Sequence, residues 1–178
     1  AGTDLGLYIN PGSNIHGITN EGTIKGDVWG GIYLEGSPSV VKFFNSGLIQ
    51  GGRFGISVGG VYGNPSVPEG LSNVGTILGT INSLDLKNST AFSIYNSGTL
   101  IGDVNIGNNP LLIQGVSSEI AGNVSGSSGS TVEIASGATF TNSGGVFNAG
   151  TVSVDSGGSL AIAHAINASI HNSGTLIG

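Results

Sequence analysis

Cysteine and methionine are both missing from this chain of 178 residues, charged residues make up only 8%, and proline occurs five times. Without cysteine there is neither a disulfide framework nor a thiolate metal site. The only cations are Lys25, Lys42, Arg53 and Lys87 against ten carboxylates, a net charge of −6. No basic stripe is available to follow a phosphate backbone, so nucleic acid is not an expected partner. No stretch approaches the roughly 18 consecutive apolar residues of a spanning helix, and no charged-then-apolar leader opens the chain. The usual globular surface of Lys and Glu is missing, and Ser, Thr and Asn must do the solvating.

What is present is glycine, 34 residues of it, and Ile, Leu and Val recurring in register, with a mean hydropathy of +0.26. A disordered chain lacks those aliphatics, so this one folds. One phrase returns: ITNEGTIKGDV from Ile18, FFNSGLIQG from Phe43, LSNVGTILGTI from Leu71, IYNSGTLIGDV from Ile94, VFNAGTVSV from Val146 and IHNSGTLIG from Ile170. Aligned on Asn20, Asn45, Asn73, Asn96, Asn148 and Asn172, the copies are spaced by 25, 28, 23, 52 and 24 residues, the 52 holding two units. A period of this size belongs to solenoids.

Apolar residues precede each Asn by two (Ile18, Phe43, Leu71, Ile94, Val146, Ile170) and follow it by four (Ile24, Ile49, Ile77, Leu100, Val152, Leu176). That is the period-two alternation of half-buried strands. Between them Asn-x-Gly marks a bend, whose glycine is expected to take a positive φ. The Asn shares parity with the buried aliphatics and should point inward, where a lone amide would be costly. In turns stacked about 4.8 Å apart, each amide can bond those above and below, so an Asn20–Asn45–Asn73–Asn96–Asn148–Asn172 ladder is predicted. The fold class expected is all-β: a right-handed parallel β-helix of about seven or eight coils, near 35 Å long, handed by the crossover rule. Residues 1–178 read as one unit, with a Pro- and Gly-containing loop excursion near 61–70. Opening without Met and closing within a recurring phrase, the chain reads as an excerpt of a longer one.

The motif apolar-x-Asn-x-Gly-Thr-(Ile/Leu)-x-Gly, with Ser/Asn-rich filler and no Cys, resembles the passenger regions of Gram-negative autotransporters, from Ile15 to Gly178 and most weakly between Asn105 and Gly145. The resemblance implies export, passage across the outer membrane through a C-terminal β-barrel lying outside this segment, and display as a β-helical stalk on the bacterial surface.

Chemistry-bearing motifs are sparse. Gly55-Ile56-Ser57-Val58-Gly59 matches the nucleophile-elbow pattern, but no helix follows it and Ile56 and Val58 fit an ordinary strand. His16, His164 and His171 lack metal-ligand spacing, and no metal or cofactor is expected. Asp27 and Asp103 occupy one repeat position several coils apart, too far for the roughly 5–9.5 Å of a glycosidase carboxylate pair. Aromatics crowd the N-terminal half: Tyr8, Trp29, Tyr33, Phe43, Phe44, Phe54, Tyr62, Phe92 and Tyr95 precede residue 96, leaving only Phe140 and Phe147 beyond it. Phe44 and Tyr95 stand just before a corner Asn and should point outward, either to meet a partner or to cover the bend, while Tyr62 rides on the 61–70 loop. The function expected is therefore that of a non-enzymatic surface adhesin segment with Phe44, Tyr62 and Tyr95 as candidate contacts. Its expected partner is a host glycan or protein, or an identical passenger on another cell. The alternative is a polysaccharide-processing β-helix.

Overall fold

The computed structural model describes residues 4–59, 65–89 and 92–178. All its regular structure is β, and every strand pairing is parallel. The strands stack as a solenoid of about seven turns. Each turn contributes to three faces. The first face runs through Ile18–Asn20, Phe43–Asn45, Val67–Asn73, Phe92–Asn96, Pro110–Ile113 and Thr131–Ile134. The second follows the bend, through Thr23–Gly26, Leu48–Gly51, Ser118–Ala121, Thr139–Asn142 and Ser159–Ile162, with the first parts of Thr76–Asp85 and Thr99–Gly107 between. The third contains Leu5–Ile9, Gly30–Glu35, Phe54–Gly59 and the later parts of Thr76–Asp85 and Thr99–Gly107.

Period-two alternation becomes a core because each inward position repeats its apolar character one turn later. The register aligns Leu7, Ile32, Ile56, Leu84, Val104, Val124, Phe147 and Ile166 in one column, and Ile18, Phe43, Leu71, Ile94, Leu111, Val132 and Val152 in another. Most of these are fully buried. Stacking like on like lets every turn reuse the same packing, which compensates for a sequence with few large side chains.

The Asn ladder is real but shorter than predicted. Asn20 Nδ2 donates to Asn45 Oδ1 at 2.7 Å, Asn45 to Asn73 at 2.7 Å and Asn73 to Asn96 at 2.8 Å. Asn96 Nδ2 then donates to Ser118 Oγ at 2.7 Å. The column continues through Ile113, Ile134 and Val154 and meets asparagine again only at the exposed Asn172. Ser118 therefore caps the polar stretch, supplying the acceptor that an aliphatic neighbour lacks. Asn148 is not in this column: it pairs with Ser125 and Asn167 on the third face, and its Oδ1 accepts from Asn167 at 2.8 Å. The physical reason is a change of period. Stacked partners lie 25 and 28 residues apart at Asn20–Asn45 and Asn45–Asn73, but 20 apart at Asp103–Asn123 and 19 at Asn148–Asn167.

The Asn-x-Gly glycine has a different cause from the one predicted. Gly47, Gly75 and Gly98 are not among the glycines with positive φ. A Cβ on Gly47, Gly75 or Gly98 would lie 2.8, 2.6 and 2.7 Å from the carbonyl carbons of Glu21, Ser46 and Val74 in the turn before, whereas Gly22 has open space beneath it. Close approach of backbones between turns, not backbone handedness, selects glycine at this bend.

The 61–70 segment also differs from a simple loop. Residues 61–64, Tyr62 among them, lie outside the described residues. Val67 begins the strand Val67–Asn73, fully buried and paired with Phe92. Pro68 fits because it lies where the register shifts between Val67 and Leu71, a place where a missing N–H breaks no ladder.

Candidate functional site

Outward positions stack as regularly as inward ones, so a side chain on one turn lies beside its counterparts on the next. On the third face one outward column reads Tyr8, Tyr33, Ser57, Asp85 and Asn105. At its edge, the backbone N–H groups of Trp29, Arg53 and Ile81 bond the carbonyls of Asp4, Trp29 and Arg53 respectively, which stacks these bend residues too. The two columns enclose a groove of about 510 Å³, bordered by Trp29, Tyr33, Phe54, Ser57, Asp85 and Lys87 among others.

Trp29, Tyr33 and Phe54 border this groove, each in a stacked pair, Tyr33 with Tyr8 on the neighbouring turn. Tyr8 and Tyr33 have centroids 6.0 Å apart and planes 11° from parallel; Trp29 and Phe54 are 6.3 Å apart at 19°. The Arg53 guanidinium sits 4.7 Å from the Trp29 centroid and 5.6 Å from that of Phe54, holding both rings by cation–π attraction. Tyr8 Oη donates to Glu35. Trp29 is 49% exposed, so its ring is held in place yet still offers surface to solvent.

The polar end is Asp85. Its side chain is only 10% exposed; Oδ2 pairs with Lys87 Nζ at 3.4 Å, and Oδ1 is buried without a hydrogen-bond partner among the described residues. Buried acceptors are normally satisfied, so this oxygen marks a place where a donor is missing. A second carboxylate, Asp4, borders the same groove. Three register steps separate the turn of Tyr8, which follows Asp4, from that of Asp85, about 14 Å at 4.8 Å per step.

The residues singled out from sequence lie elsewhere. Phe44 and Tyr95 are half-buried on the outer side of the first face, in register with Ser72 between them, and so two steps apart. Phe44 borders a shallow groove with Lys42, Glu69 and Ser72. The Tyr95 ring lies over Gly70, where a Cβ would come within 2.8 Å of Cε2. It covers the chain rather than standing free. Ser57 sits inside the regular strand Phe54–Gly59 between the buried Ile56 and Val58, with no elbow. Asp103 does not share a register column with Asp27: it aligns with Asn82, Phe54 and Gly30 because the register shifts at Asn82. Asp103 Oδ1 accepts from the backbone N–H and Nδ2 of Asn123, and Asp27 pairs with Lys25 at 2.9 Å. Among the described residues no group of three or more His, Asp or Glu converges as a metal site would require.

Sequence reading passed over Trp29, Tyr33, Phe54 and Asp85 as a set. The signal was the shared offset of Ser57 and Asp85 from their corner asparagines, legible only once turns are laid in register. Compared with known proteins, the chain matches no family, no curated protein and no solved structure.

Proposed function

We propose that this chain is a non-enzymatic adhesin segment, a β-solenoid stalk displayed at a bacterial cell surface in the manner of an autotransporter passenger, which attaches through the outer groove of its N-terminal half. The observation that carries this reading is the groove itself: paired, partly exposed aromatic rings fixed on a frame whose interior is saturated with its own contacts. Flat aromatic faces on a rigid support give contact area with little ordering cost. The stalk's low charge also favours close approach, since few side chains must be desolvated. A separation of about 14 Å between the turns of the two groove carboxylates disfavours the polysaccharide-processing alternative, because an acid and base acting across one glycosidic bond stand within roughly 9.5 Å.

Immobilised on beads, the wild-type chain should adhere to cells or to beads bearing the same chain. Trp29→Ala combined with Tyr33→Ala should weaken that adhesion by at least about fivefold, as for truncating interface anchors. Ser153→Ala and Ser159→Ala, in the aromatic-poor half, should leave it unchanged, with circular dichroism as the folding control. Loss in Tyr95→Ala alone would move the contact to the first face. Adhesion indifferent to every aromatic substitution, or new reducing ends from a polysaccharide incubated with the chain, would overturn the reading.

A further inference from the structure

We infer that the third-face groove is a binding site for an uncharged oligosaccharide, with Trp29 as the stacking platform and Asp85 as the acceptor that fixes the sugar's hydroxyls. This deepens the adhesive reading and rests on it. The first ground is Asp85: a carboxylate nine-tenths buried, bordering the groove, with Oδ1 lacking a donor among the described residues. A buried acceptor left bare costs free energy; Oδ1 is sealed from solvent, so a ligand O–H recovers that cost once the carboxylate turns Oδ1 into the groove.

The second ground is charge. Lys87 already neutralises Asp85 through Oδ2, and Arg53 is engaged over the Trp29 and Phe54 rings. These two cations stand against the two groove carboxylates, Asp4 and Asp85, so the groove has little net charge to draw in a lysine or arginine of a protein partner, and its vacant acceptor suits a neutral donor. The third ground is shape. One face of a pyranose carries axial C–H groups, apolar and weakly positive, which pack on the negative face of an aromatic ring, while its equatorial hydroxyls project from the rim. Trp29 supplies an exposed ring and Asp85 an acceptor in the groove wall, with Ser57 beside it in register. The open groove accommodates a chain of sugars rather than enclosing one. A few polar groups set among aromatic walls is the usual composition of a small-ligand site.

Trp29 is the chain's one tryptophan, so its fluorescence reports on the proposed site alone. Titration with neutral hexasaccharides of glucose, galactose and mannose should give a saturable change with at least one of them. Asp85→Asn, which turns one acceptor oxygen into a donor, should weaken that binding about tenfold or more. Calorimetry on Tyr33→Ala gives a second test that does not depend on the Asp85 variant folding, and should show a similar loss. Ser153→Ala should bind as wild type. A response confined to a lysine-rich peptide or to a polyuronate, no response to any neutral hexasaccharide, or equal affinity in Asp85→Asn would overturn the proposal. If bead adhesion depends on Trp29 while neutral sugars do nothing, the sugar falls and the adhesive reading stands. If sugars bind but adhesion is absent, the reverse holds.

Discussion

Gly75→Ala should lower the melting temperature by roughly 6–12 °C, while the equivalent Gly22→Ala leaves it almost unchanged. A methyl group on Gly75 would lie 2.6 Å from the carbonyl carbon of Ser46 and overlap the Gly47 carbonyl oxygen, and both neighbours are backbone. No rotamer change relieves such a clash; the turns must separate, breaking the bond from Thr76 N–H to Gly47 at 2.9 Å and straining the bends beside it. Overpacking of this kind costs about 3 kcal/mol or more. In a chain of this size that converts to the stated fall. Gly22 carries the same Asn-x-Gly signature, yet nothing lies within 4 Å of its would-be Cβ. Thermal unfolding of the two variants side by side checks the explanation: equal shifts would return the glycine to a role in local backbone conformation.

Asn73→Leu should cost about 1–3 kcal/mol for each amide group it orphans, and it orphans two. Asn45 Nδ2 loses its 2.7 Å acceptor and Asn96 Oδ1 its 2.8 Å donor, both buried. Weaker bonds from Asn45 Nδ2 to the carbonyls of Gly47 and Thr76, at 3.3 and 3.4 Å, recover only part of the loss. Asn172→Leu, in the same column but exposed, should shift stability by no more than about 0.5 kcal/mol. The column itself suggests a stricter test. Ile113, Ile134 and Val154 occupy it without penalty because their neighbours are apolar as well. Replacing Asn20, Asn45, Asn73 and Asn96 together by aliphatic residues should therefore destabilise less than Asn73→Leu does alone, with chemical denaturation as the measure. A larger loss in the fourfold variant would mean that the amides contribute as individual bonds and not as a mutually satisfying row.

The strands, their parallel stacking and the inward Asn of the first four copies were legible because the recurring phrase carries its parity with it: Ile18, Asn20 and Ile24 stand at even offsets and so share the inward side, with Asn-x-Gly marking the bend between their strands. The later register was not legible, because the phrase around Asn148 looks like the others while the turns beneath it have shortened. Asn148 thus lands on the third face, and Ile113, Ile134 and Val154 hold the ladder positions without any asparagine to announce them. A second set of polar corner residues, Ser89, Asn109 and Ser130, was missed for the opposite reason. They are buried, and Asn109 Nδ2 bonds Ile106 and Ser89 at 2.7 and 2.9 Å, but no repeated phrase surrounds them. The groove was hidden for a related cause. Tyr33, Ser57 and Asp85 differ in type, so no repeated phrase links them; the shared offset of Ser57 and Asp85 from their corner asparagines shows as a signal only once the register makes them neighbours.

That register carries both the fold and the site, and the absence of native cysteine makes it directly measurable. Ser57 and Asp85 are partners on adjacent turns, whereas Ser57 and Asn105 are separated by the turn between them. Disulfides need Cα atoms within roughly 4.4–6.8 Å, which one step of about 4.8 Å satisfies and two steps do not. Under mild oxidation the Ser57→Cys/Asp85→Cys variant should form an intramolecular disulfide in nearly every molecule, and Ser57→Cys/Asn105→Cys should retain two free thiols. Bridging in the second variant, or free thiols in the first, would contradict the stacking from which the groove is built.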